Sequence, residues 1–170
     1  MKPLIIDNFV DQDSFQMLQK TMFDLSFHWS YNSVIDYEDD KDKFQFTHNF
    51  YDQKTGGSSS IFYNDRFFNN ILKKVGSKEI FRIKANLLTK TPEIVPNRFH
   101  TDIQGNWGVI PYITSILYMN TNNGYTEFED GTKVESVANR FISFPIETKH
   151  RGTSCTDEKV RVVINFNYLT

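Results

Sequence analysis

Apolar residues recur at two periods along this chain, and the change between them falls at Gly76. Before it, Phe15, Leu18, Met22 and Leu25 follow helical spacing and predict an amphipathic helix over residues 12–26. Asp11 is placed to cap that helix, and Asp13 to sit in its first turn against the positive end of the dipole. A second stripe, Phe68, Ile71, Leu72 and Val75, predicts a helix that starts at Asn64 or Asp65 and stops at Gly76. Residues 3–6 read as a short strand, and 44–50 alternate as another. Residues 37–43 form a charged loop, and 55–60 are a flexible, turn-rich stretch.

Beyond Gly76 the period is two. Strands are predicted at 79–89, 97–103, 112–120, 125–129, 132–136, 139–144, 148–153 and 160–168. Short strands with turns between them indicate a sandwich, jelly roll or barrel. Two helices ahead of such a run indicate an α+β, mainly β fold with the helices packed on the outside. The length fits one domain over 1–170, with 1–78 as helical support and N-terminal strands and 79–170 as the β core.

Composition narrows the function. Aromatics make up 15% of the chain, more than a disordered sequence carries, so a packed core is available. The net charge of −2, without a basic stripe, argues against nucleic acid as an obligatory partner. No apolar run approaches a membrane span, and the opening residues do not read as a signal peptide. A single cysteine, Cys155, removes an internal disulfide framework and suits a reducing, cytoplasmic compartment.

The chemistry concentrates in three places. In Arg98-Phe-His100-Thr-Asp102, residues two apart on a strand point to one face, so His100 and Asp102 can converge. His150 opens a later strand. Two imidazoles and one carboxylate that leave coordination positions open form the facial set of non-haem Fe(II) oxygenases. The last strand places Arg161, Val163, Asn165 and Asn167 on one face and Val162, Ile164, Phe166 and Tyr168 on the other. An arginine inside such an apolar strand needs an anionic partner, and a carboxylate suits its planar fork.

In this order, His-x-Asp, then His, then Arg resembles the Fe(II)/2-oxoglutarate-dependent dioxygenases, in their prolyl 4-hydroxylase-like branch. Ser115-Ile-Leu-Tyr118-Met-Asn120, Gly124-Tyr-Thr-Glu-Phe128, Phe141-Ile-Ser-Phe-Pro145 and His150-Arg-Gly-Thr153 are similar to that family's supporting phrases. The resemblance covers 79–169 well and 3–26 loosely, and says little of 27–64.

It implies a double-stranded β-helix (jelly roll, cupin-like) and a hydroxylase acting on an unactivated C–H while 2-oxoglutarate is decarboxylated to succinate. His100, Asp102 and His150 would hold Fe(II), with O2 as oxidant and ascorbate as reductant. Arg161 would meet the distal carboxylate of 2-oxoglutarate, with Tyr118 donating a hydrogen bond and Asn86 as a further co-substrate contact. Lys159 shares strand parity with Arg161 and is its rival for the carboxylate, but it lies in a turn. Trp107, Arg151 and Asn167 are candidate substrate contacts, and loops 30–43 and 104–111 candidate lids. His28 and His48 are expected to be structural. The substrate expected is a prolyl or similar peptide side chain, with a free amino acid or other small metabolite as the alternative. A cupin-type isomerase or hydrolase on zinc or manganese, or a binding module without catalysis, stays open on the triad alone.

Overall fold

The computed structural model describes residues 2–35, 43–58, 60–63, 65–103 and 112–170. In chain order these form β1 (Leu4–Ile6), α1 (Gln12–Met22), β2 (Ser30–Asn32), β3 (Gln45–Asp52), α2 (Asp65–Lys74), β4 (Glu79–Thr89), β5 (Tyr112–Tyr118), β6 (Tyr125–Phe128), β7 (Lys133–Glu135), β8 (Phe141–Pro145), β9 (His150–Gly152) and β10 (Val160–Leu169). The strands pair antiparallel in two sheets, β1-β8-β5-β10-β4-β3-β2 and β7-β6-β9. This is the mainly β, jelly-roll arrangement the sequence predicts.

Strand β10 shows why the two sheets and the helices separate into layers. Its even residues Val162, Ile164, Phe166 and Tyr168 join Phe15, Leu18 and Met22 of α1 and Phe68, Ile71 and Leu72 of α2 in one core. Its odd face turns the other way, where Val163 packs with Ile116, Tyr118, Phe128, Val134 and Ile142 between the sheets. Alternation along one strand thus builds two apolar layers.

Asp11 caps α1 as expected, accepting from the Ser14 N–H at 2.9 Å. The helix ends at Met22 rather than residue 26, and Leu25 is fully exposed instead of completing the apolar stripe. Ser26 bonds the Asp24 carboxylate through both its N–H and its hydroxyl, a local turn that competes with further helix. Strand β2 was not predicted; three residues with one partner strand are too short for a periodic signal. The 55–60 stretch begins inside a 3-10 turn over Gln53–Thr55. Asn64 lies outside the described residues. His48 is structural as expected, with Nδ1 on the His28 carbonyl at 2.7 Å and Nε2 on Ser60 Oγ at 2.6 Å.

Helix α2 stops where predicted. Gly76 has φ +71°, its N–H bonds the Lys73 carbonyl, and the Ser77 N–H reaches back to Leu72, a Schellman closure. Gly76→Ala forces a Cβ into the left-handed region and will lower stability by about 1 kcal/mol. A lowered urea midpoint with unchanged slope checks this.

Among the described residues no helix is long and apolar enough to cross a membrane.

Candidate active site

Residues 97–103 are not a strand, contrary to the prediction. In place of a ladder there are isolated bridges, His100 to His150 within the segment and Pro96 to Thr153 just before it. Pro96 has no N–H to give, which interrupts any continuous ladder. The histidines still meet, because His100 and His150 exchange two backbone hydrogen bonds of 3.0 Å. Their rings lie 4.8 Å apart, and His150 packs edge-on against Phe144.

Asp102 Oδ1 lies 3.7 Å from Nε2 of both His100 and His150. The three ligand atoms fall within 4.8 Å of one another. The other ring nitrogens face carbonyls: His100 Nδ1 is 3.2 Å from Arg98 O, and His150 Nδ1 is 3.1 Å from Thr148 O. A carbonyl only accepts, so Nδ1 carries the hydrogen and each Nε2 turns its lone pair toward Asp102 Oδ1. Two donors near 2.1 Å from one cation can be at most about 4.2 Å apart; both 3.7 Å spacings to Asp102 meet that limit, and a bound cation would draw the two imidazoles in wherever the triad's 4.8 Å span exceeds it. The donor set, two imidazoles and a carboxylate with open positions, suits Fe(II).

Burial alone would push the Asp102 carboxyl up. Donation from the two imidazoles in their protonated form, with the charges of His150 and Arg82, outweighs it and holds the carboxyl well below its usual range. The group is therefore anionic and ready to bind a cation.

The triad opens on a cavity of about 350 Å³. Lys84, Asn86 and Leu88 of β4 and Arg161, Val163 and Asn165 of β10 line it, and the triad lies along the same space. Strand register explains the pairing: Val163 lies opposite Asn86 and Asn165 opposite Lys84. Arg161 is 4% exposed. Its Nε donates to Ser136 Oγ at 2.8 Å and its Nη2 to Thr126 Oγ1 at 3.1 Å. Burial pushes its pKa down, and among the described residues no carboxylate forms an ion pair with it. Gly124 makes room for the chain of Arg161: a Cβ there would stand 2.7 Å from Arg161 Cδ and 2.6 Å from the Ser154 carbonyl. Lys159 is exposed, away from this cavity, in a depression beside α1.

Tyr118 is fully buried and does not line the cavity; its hydroxyl donates to Thr126 Oγ1 at 2.7 Å. Thr126, which the sequence reading passed over, lines the cavity between Tyr118 and Arg161. Its parity with Phe128 on a short inward-facing strand was the available signal. Asn167 has no exposed surface. Its amide is taken up by Asp102, Thr114 and Arg82, which places it behind the Asp102 carboxylate. Arg151 pairs with Glu127 at 2.7 Å and stacks its guanidinium on Phe99, outside the cavity lining. Trp107, the 104–111 loop and residues 36–42 of the 30–43 loop lie outside the described residues.

No family model and no curated protein sequence matches the chain. Solved structures do. A prolyl hydroxylase from Trichoplax adhaerens, in complex with a peptide fragment of the hypoxia inducible factor oxygen degradation domain, is similar at a TM-score of 0.66. Its identity is 12%, over 98% of this chain and 83% of that one. SnoK, a non-heme alpha-ketoglutarate-dependent carbocyclase of nogalamycin biosynthesis, gives 0.67 and 10% over 98% and 79%. A Pseudomonas putida prolyl-4-hydroxylase gives 0.61 and 13% over 99% and 92%. At such identities the likeness speaks for the fold, and the chain has the double-stranded β-helix fold of the 2-oxoglutarate-dependent Fe(II) oxygenases.

Proposed function

We propose that this chain is a non-haem Fe(II), 2-oxoglutarate-dependent oxygenase that hydroxylates an unactivated C–H. One observation carries the reading: a His100–Asp102–His150 triad shares a cavity with Arg161, a buried cation without a carboxylate partner among the described residues. A metal hydrolase or isomerase of the same fold has no use for such an arginine. A dicarboxylate co-substrate has: one end would go to the metal, and the other would neutralise the guanidinium.

His100, Asp102 and His150 would hold the metal. Fe(II) with 2-oxoglutarate supplies the oxidising chemistry, ending in succinate, CO2 and a hydroxylated product. The protein's own part is binding and exclusion. Arg161 fixes the distal carboxylate, with its fork aimed by Ser136 and Thr126. Thr126 Oγ1 accepts from both Tyr118 and Arg161, so its own hydrogen is left to donate toward the cavity it lines. Thr126, rather than Tyr118, is then the hydroxyl that meets the co-substrate, and Asn86 flanks it from β4. The apolar layer of Ile116, Val163 and Phe128 keeps the inner end dry.

For the substrate, a peptide side chain, prolyl or similar, draws support from the Trichoplax prolyl hydroxylase, which is in complex with a peptide fragment. A small metabolite draws support from SnoK, a carbocyclase on the same fold. One fold hosts both, so the choice belongs to experiment.

The test is incubation of the protein with Fe(II), 2-oxoglutarate and ascorbate against peptides and metabolites, scored by succinate and by a mass gain of one oxygen. Absence of 2-oxoglutarate binding to the metal-loaded protein would remove the reading. Thr126→Val deletes one hydrogen bond to a charged oxygen. It should weaken 2-oxoglutarate binding about 10-fold or more, read by calorimetry on Mn(II)-loaded protein.

A further inference from the structure

Behind the Asp102 carboxylate stand two neutral amides from β10. Asn165 Nδ2 lies 3.2 Å from each carboxylate oxygen, and Asn167 Nδ2 lies 3.0 Å from Oδ2. A carboxylate only accepts, so both amides must present nitrogen to it. Oδ2 therefore receives N–H groups from both amides, while Oδ1 shares the bridging Asn165 alone and faces the two imidazole nitrogens at 3.7 Å, so the asymmetry comes from Asn167. The framework behind is locked in turn. Asn167 donates to Thr114 Oγ1 at 3.0 Å and accepts from Arg82 Nε at 3.2 Å. Arg82 Nη2 holds the Asp102 backbone carbonyl at 3.1 Å. Side chain and backbone of this one ligand are thus gripped from adjacent strands, β4 and β10.

Asn165 adds a second, independent observation. It is 8% exposed, and its Oδ1 is the one buried side-chain oxygen or nitrogen without a partner among the described residues. Leaving a buried acceptor unpaired costs the fold free energy. A leucine of similar shape would avoid that cost. The residue makes sense through what its nitrogen does for Asp102.

We infer that Asn165 and Asn167 are positioning residues that fix Asp102 as a one-oxygen ligand, presenting Oδ1 to the metal and withholding Oδ2. This rests on the oxygenase reading and deepens it. A carboxylate that chelates through both oxygens uses up a coordination position. Two imidazoles and a single oxygen leave room for a bidentate co-substrate and O2 together. The grip also means the ligand is oriented before the metal arrives.

Asn167→Leu would strand Thr114 and Arg82 and so risks the fold; Asn165→Leu strands neither, and is the cleaner variant. Three readouts separate positioning from packing: melting of the metal-free protein, Mn(II) affinity by electron paramagnetic resonance, and the visible spectrum of the Co(II)-loaded protein. For Asn165→Leu we expect a metal-free melting temperature equal to or above wild type, a Mn(II) Kd raised about 10-fold or more, and altered Co(II) bands. Wild-type affinity and spectrum in that variant would overturn the inference. A lowered melting temperature with unchanged affinity would also do so, by making Asn165 a packing residue. Failure of the wild-type chain to bind either metal would instead remove the oxygenase reading, and the inference with it.

Discussion

Asp102→Asn will leave the protein folded but unable to hold a metal, and succinate formation will fall below detection. The variant preserves shape in a site where the side chain is 4% exposed, so no cavity opens. What changes is which atom faces the cation. Asn165 and Asn167 present N–H groups to this side chain, and they will draw a carboxamide oxygen toward themselves. The NH2 then turns to His100 and His150, and it has no lone pair to offer. Losing a ligand outright exceeds the roughly 10–100-fold cost of losing a partner behind a ligand. Mn(II) Kd should therefore rise by more than about 100-fold. A titration by electron paramagnetic resonance, with thermal melting of the same sample as the fold control, measures both. Turnover at the wild-type rate would show that the triad is not the metal site.

How much of this was legible in the sequence depended on which physical signal each feature left. Parity did well. The odd face of β10 was read correctly because alternation in a strand is strict, and Arg161 and Asn165 duly line the cavity while Phe166 and Tyr168 pack under the helices. Helix α2 was readable because Gly76 marks its end with a residue suited to φ +71°.

The His-x-Asp spacing also held, but for a different reason than the one given. Residues 97–103 make no continuous strand, and the convergence comes from paired backbone bonds between His100 and His150. Parity says which face a side chain takes, not what waits across the space. Asn165 and Asp102 are 63 positions apart, and Arg161 and Thr126 are 35. Nothing local in either segment announces those contacts. The same limit explains Tyr118, which the resemblance placed on the co-substrate but whose hydroxyl is spent on Thr126. Leu25 erred the other way: spacing continued the helix on paper, while the Asp24–Ser26 turn closed it.

Arg161→Met should make the ligand-free protein more stable and its 2-oxoglutarate binding far weaker. Arg161 is 4% exposed, and among the described residues its guanidinium meets two hydroxyls and the face of Tyr118 at 5.6 Å, none of them anionic. Neutral acceptors only partly offset the desolvation of a cation, which is why burial depresses its pKa. A thioether chain of comparable length fills the same channel past Gly124 without that penalty. Exchanging buried charge for apolar packing is worth about 1–4 kcal/mol in favourable cases, so a gain of about 1 kcal/mol in urea unfolding is expected. The co-substrate sees the opposite sign. Its distal carboxylate would enter a dry site with no cation to meet it, and removing one partner of a buried charge pair costs about 2–5 kcal/mol. That is roughly a 30-fold to several-thousand-fold rise in Kd, while Mn(II) binding to the distant triad should stay near wild type. Opposed shifts in stability and affinity are what distinguish a charge held for a ligand from a charge held for the fold. If both fell together, Arg161 would be a structural residue, and the dicarboxylate would have to be bound elsewhere.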